Sequence, residues 1–203
     1  MIRPFGEAAL LVDTASADRA QGLAAELQLD PIPGLTAAIP GFESLLVELD
    51  PLASDPEAIR EAVMTRLAGV TERAVATRLR TIPVVYGGEM GPDLADVAAL
   101  TGLSEVEVVD RHAAAELRVL FDGFAPGYAY LGDLPVELRV PRLDTPRTRT
   151  PAGSVAIAGP MSGVYPATLP GGWRVIGRTP VALFDPRRDP PAYLMPGDRK
   201  SVV

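Results

Sequence analysis

From Glu116 onward the apolar runs of this chain are short, and Gly or Pro cuts off nearly every one. Leu117-Arg-Val-Leu-Phe121, Val155-Ala-Ile-Ala158, Trp173-Arg-Val-Ile176 and Val181-Ala-Leu-Phe184 are each the length of a strand and too short for an ordinary helix. Short strands separated by turn residues are the pattern of a compact β-barrel or sandwich.

The first part of the chain follows another rule. Ser16 can cap a helix from Ala17 to Leu27, with Ala20, Leu23, Ala24 and Leu27 on one face, and Pro31, Pro33 and Gly34 stop it. Asp55 can cap a second helix to about Leu67, with Pro56 at its first position. Ala9–Val12, Leu35–Ile39 and Ser44–Leu49 read as strands. The order β-α-β-β-α predicts helices on one face of a small antiparallel or mixed sheet. The expected class is α+β: an α+β N-terminal domain over residues 1–80, then a β-barrel domain over residues 81–203, with the linker at Thr71–Thr81.

Two helices are expected after strand Ile82–Tyr86. One begins near Pro92 and ends at Gly102, and the other opens on the capping box Ser104-Glu-Val-Glu107 and runs to about Ala114. The pair could suggest a DNA-binding helix-turn-helix, but Glu105, Glu107 and Asp110 would face a phosphate-lined groove. A net charge of −7 points the same way, so no nucleic-acid partner is expected.

Composition narrows the chemistry further. The chain has 47% hydrophobic residues, as a packed protein does, and 19 basic residues of which only Lys200 is lysine. Amine-nucleophile chemistry and a G-x-x-x-x-G-K-[ST] phosphate loop are therefore not expected. The absence of cysteine removes disulfides and thiolate zinc sites, and a single histidine gives no metal site, so the metal expectation is none. No apolar run is long enough for a signal peptide or a membrane span, which predicts a cytoplasmic location and no membrane partner.

Candidate site residues cluster late in the chain. His112 could serve as a general acid or base, or could simply interact with carbonyls at a helix end. In Gly123-Phe-Ala-Pro-Gly-Tyr-Ala-Tyr-Leu-Gly132, glycine amides could approach a small ligand while Tyr128 and Tyr130, two apart, share a face. The same aromatics could instead fill a core. Arg142, Arg147 and Arg149 could receive a carboxylate or phosphate, pair with acids such as Asp144, or face solvent. Ser154 lacks the glycine spacing of a nucleophile elbow and reads as a turn or ligand hydrogen-bonder. Gly163-Val-Tyr-Pro166 and Pro170-Gly-Gly-Trp173 read as turns carrying Tyr165 and Trp173, and Arg178 is another possible anion contact.

Taken in order, Gly6–Val12, Ser44–Val47, Pro83–Glu89, Gly91–Leu94, Phe124–Tyr130, Pro146–Ser154, Gly163–Pro166, Pro170–Arg178 and Pro196–Arg199 resemble the family of 5-oxoprolinase B subunits, also labelled allophanate hydrolase subunit 1 or Kip-type kinase inhibitor. Departures are Met161-Ser162, where the family typically shows Gln-Thr, and the tail Lys200–Val203, which is shorter and less apolar than usual.

The resemblance implies a cyclophilin-like β-barrel and an ATP-dependent amidohydrolase assembly that opens 5-oxo-L-proline to L-glutamate. It also implies a C-type partner subunit and an ATP-handling lactam-utilisation subunit. This chain would bind the small-molecule substrate but no cofactor of its own, the ATP being used by the assembled complex. From the residue reading above, the catalytic candidate is His112, and Tyr128, Tyr130, Arg147, Arg149, Ser154, Tyr165, Trp173 and Arg178 are the substrate-binding candidates. The alternatives are an allophanate hydrolase or urea carboxylase-type subunit, and an inhibitor docking on a sensor histidine kinase. Prolyl isomerase follows only from the fold and carries little weight.

Overall fold

A computed structural model describes residues 1–70 and 78–202, with side-chain surroundings described through residue 200. The chain divides into two compact units, Met1–Ala76 and Thr77–Val203.

In the first unit, β1 (Ile2–Pro4), β2 (Ala9–Asp13), β3 (Leu35–Pro40) and β4 (Ser44–Leu49) form an antiparallel sheet in the order β1-β2-β4-β3. Burial alternates along β2 and β4, so Leu10, Val12, Leu45, Val47 and Leu49 point inward. Helices α1 (Ala17–Leu29) and α2 (Pro56–Gly69) cover that face with Leu23, Leu27, Ile59 and Val63. Each buried aliphatic side chain contributes roughly 1.5–3 kcal/mol. Ser16 accepts from the Arg19 amide and Asp55 from the Glu57 and Ala58 amides, as their positions before the helices predict. Strand β1 has no counterpart in the sequence reading, because three residues ending in Pro carry no periodicity. It pairs at the sheet edge, where proline costs no ladder bond.

The second unit is built on an eight-stranded sheet curled into a half-barrel. Its strands are β5 (Leu79–Ile82), β6 (Val85–Tyr86), β7 (Leu117–Asp122), β8 (Ala129–Gly132), β10 (Ser154–Ala158), β11 (Met161–Val164), β13 (Arg174–Arg178) and β14 (Arg199–Val202), in the order β5-β14-β7-β8-β11-β10-β13-β6. A separate ribbon pairs β9 (Arg147–Thr150) with β12 (Leu169–Gly171). All five residues of β10 are buried, as in a strand covered on both faces. Helices α3 (Leu94–Thr101) and α4 (Glu105–Ala114) pack on the sheet through Leu94, Val97 and Val108, next to Val119, Leu131, Ile157 and Ile176. The class is α+β with a small N-terminal domain ahead of a barrel-type domain.

Several details differ from the sequence reading. The expected linker at Thr71–Thr81 lies mostly outside the described residues, and its end, from Leu79, is strand β5. Gly163-Val164 and Pro170-Gly171 lie in strands β11 and β12 rather than in turns. Val181–Phe184 makes only an isolated bridge, Phe184 to Ala192. Helix α3 starts at Leu94, after Pro92, and Asp93 makes no capping bond because its carboxylate is engaged elsewhere. The Ser104–Glu107 capping box forms as predicted. No helix among the described residues is long and apolar enough to cross a membrane.

Candidate functional site

His112 lies in the last turn of α4 with no exposed surface, and both its ring nitrogens are engaged. Nδ1 lies 2.7 Å from the Tyr86 hydroxyl on β6, and Nε2 lies 3.1 Å from Ser162 Oγ on β11. Ser162 Oγ donates to the Ala156 carbonyl at 3.2 Å, so it accepts from Nε2–H while Tyr86 donates to Nδ1. The imidazole is thus a neutral Nε2 tautomer clamped between a helix and two strands. Burial first, and nearby Lys200 second, hold its pKa well below the ordinary histidine value. Burial likewise raises the Tyr86 phenol.

The hairpin loop between β7 and β8 brings the aromatic candidates together. Tyr128 meets Phe124, Tyr130, Tyr165 and Trp173 edge-on, with ring centroids 5.3, 4.9, 5.3 and 6.1 Å away. Tyr128, Tyr165 and Trp173 are buried, with Ala156, Ala158 and Val175 completing their cluster. Tyr130 is only partly buried and stacks on Phe121 at 4.3 Å. The Arg142 guanidinium carbon sits 5.9 Å from the Trp173 ring centroid, a cation–π distance. Phe124 is exposed and has φ +67°, a conformation rare for a side chain of that size. Burial raises the phenols of Tyr128, Tyr130 and Tyr165, so all three are neutral hydrogen-bonding groups.

Arg147 is committed within the fold. Its Nη1 and Nη2 bind the Asp93 carboxylate at 2.9 and 2.6 Å, and one Asp93 oxygen also accepts from the Val175 amide at 2.6 Å. This pairing raises the Arg147 pKa. Arg142 and Arg149 are exposed, and Asp144 makes no ion pair among the described residues. Ser154 is buried at the start of β10, directly across from Arg178 on β13. Arg178 Nε donates to the Ala152 carbonyl at 2.8 Å, and the residue lines an open cleft of about 580 Å³. The structure thus places His112 against the sheet, the aromatics around the β7–β8 loop, Arg147 on Asp93 with Tyr165 nearby, and Arg178 at the cleft.

Sequence reasoning overlooked Asp93, which is buried, and Asp122, which is half-buried. Asp122 ends β7 at the root of the aromatic loop, and burial, then the Asp198 charge, pushes its pKa up to about 7. Its Oδ1 has no hydrogen-bond partner among the described residues. An aspartate immediately before Gly123 was the available signal. No group of three or more metal-ligating side chains occurs among the described residues.

Residues 1–194 match the carboxyltransferase domain family, subdomain C and D. The 5-oxoprolinase B subunit of Escherichia coli O157:H7 is 47% identical over 87% of this chain and 81% of its own length. That of Bacillus subtilis (strain 168) is 44% identical over 86% of this chain and 78% of its own. The crystal structure of TTHA0988 superposes with a TM-score of 0.83 at 35% identity, and this chain covers 40% of that longer one. The scaffold is thus that of a carboxyltransferase subdomain pair. Within that class, the chain belongs to the family of 5-oxoprolinase B subunits.

Proposed function

We propose that this chain is the non-ATP-binding subunit of a cytoplasmic, ATP-dependent 5-oxoprolinase, opening 5-oxo-L-proline to L-glutamate with a C-type subunit and an ATP-handling lactam-utilisation subunit. The observation that carries this is the 44–47% identity to two proteins named as B subunits of 5-oxoprolinase, spread over most of the chain. In the reaction the ring C–N bond breaks, water oxygen enters the new carboxylate, and the departing nitrogen takes a proton.

Within that reading, Tyr130 and Arg149 are the open donors of the half-site. Tyr128, Tyr165 and Trp173 stiffen its wall from behind, and Ser154 backs the strand that carries Arg178. His112 acts as a positioning residue, because both of its nitrogens are already engaged. Arg147 fixes the start of α3 through Asp93. A sequence without a Walker-type phosphate loop supports leaving the nucleotide to another subunit.

Deletion of the gene in its host tests the proposal. Growth on 5-oxoproline as sole nitrogen source is expected to stop and to return with the wild-type gene. Undiminished growth of the deletion strain would count against it.

A further inference from the structure

We infer that the cleft beside β13 is a recognition pocket for a small organic monocarboxylate, with Arg178 as its anion fork. Val85, Met90, Pro166, Pro180 and Val181 supply mostly apolar walls, and among the described residues Arg178 is the sole ionisable one lining it. Its volume, about 580 Å³, lies within the usual range of small-ligand sites, roughly 300–1,000 Å³.

Several arginine forks of the chain end on a carboxylate: Arg147 closes on Asp93, Arg78 on Asp198, and Arg187 on Asp185. Arg178, like Arg19, Arg139 and Arg188, binds a backbone carbonyl instead, but it alone of these lines the cleft. Its Nε–H is spent on the Ala152 carbonyl, which fixes the plane of the group, while its terminal nitrogens have no partner among the described residues. A planar cation held in place beside apolar walls, with no acid in the described lining, suits an external carboxylate bound bidentately.

The backbone beneath it is equally constrained. Gly153 has φ +79°, and a Cβ there would lie 2.2 Å from the Thr179 carbonyl, so the turn carrying Ala152 cannot accept a side chain. Register places Val85 and Ser154 on either side of Arg178, holding it from β6 and β10. One arginine and apolar walls favour a monoanion with an apolar body over phosphate, which draws on more donors.

The choice of acid rests on the oxoprolinase reading: 5-oxo-L-proline is a carboxylate on a compact lactam ring. Calorimetric titration of the full chain with 5-oxo-L-proline, cyclopentanecarboxylate, neutral 2-pyrrolidone and inorganic phosphate tests the pocket. Both acids should bind and compete, with 2-pyrrolidone and phosphate at least about tenfold weaker. Arg178→Gln should weaken both acids by at least about tenfold, and Arg178→Lys should recover part of the loss. Ala182→Trp, at an exposed rim position, should block both acids while leaving Arg178 in place. Thermal melts of each variant check folding.

Absence of saturable acid binding, unchanged affinity in both Arg178→Gln and Ala182→Trp, or tighter binding of phosphate would each overturn the pocket. Acid binding that depends on Arg178, together with no glutamate from the full assembly, would leave the pocket standing and remove the oxoprolinase reading. Normal turnover and KM for Arg178→Gln in that assembly would do the reverse.

Discussion

Arg147 and His112 show how a polar side chain can be committed within a fold although its sequence suggests an open site. Asp93 is almost fully buried, and removing its partner would strand a charge inside the unit. Arg147→Ala is therefore expected to lower stability by about 2–3 kcal/mol in denaturant titrations, and Asp93→Asn with Arg147→Ala to cost less than the sum of the single changes. Additive losses would mean the pair is not coupled. For His112 the folded-state pKa is depressed, so the unfolded chain binds the extra proton first. The His112 contribution to stability should be full above the ordinary histidine value of 6.5 and fall as pH drops below it, with a slope up to about 1.4 kcal/mol per pH unit until the folded-state pKa is reached. His112→Gln should remove that contribution to the pH dependence of the melting temperature; an unchanged profile would show that the imidazole is not held neutral by the fold.

At the level of elements, local chemistry was legible and distant pairing was not. Ser16, Asp55 and the Ser104–Glu107 box announce their helices because the cap and the amide it binds lie within three residues. The Asp93–Arg147 bond joins residues 54 apart, so three nearby arginines read equally well as an anion site, an acid-paired group or a solvated face. Pro170-Gly171 reads as part of a turn, yet it lies in a strand of a two-stranded ribbon, where proline needs no second ladder. The aromatic loop reads both as wall and as core; Tyr128 is core and Tyr130 borders the surface, a division that only packing decides. That packing makes a prediction for β12. A Cβ at Gly171 would fall 2.1 Å from Tyr165 Oη and 2.8 Å from its ring, and the ring is buried. Gly171→Ala should cost about 1–3 kcal/mol by chemical denaturation, whereas Gly69→Ala, with no atom within 4 Å, should be neutral or slightly stabilising. Equal stability of the two variants would contradict this packing.

At the scale of the whole molecule, the sequence resemblance led to a family that the match over residues 1–194 and the curated relatives support. The site geometry fits the proposed dependence on partners: the histidine is engaged on both nitrogens, the Arg147 fork is internally paired, and Arg149 is exposed. The most direct test is reconstitution by omission. The purified chain, its cognate C-type subunit and the ATP-handling subunit are mixed with ATP, Mg²⁺ and 5-oxo-L-proline, and glutamate and ADP are followed while each component is left out in turn. Coupled glutamate and ADP formation is expected from the complete mixture, and loss of glutamate when this chain alone is omitted. Oxoproline-dependent ATP hydrolysis by the chain on its own, or undiminished glutamate formation in its absence, would contradict the assignment.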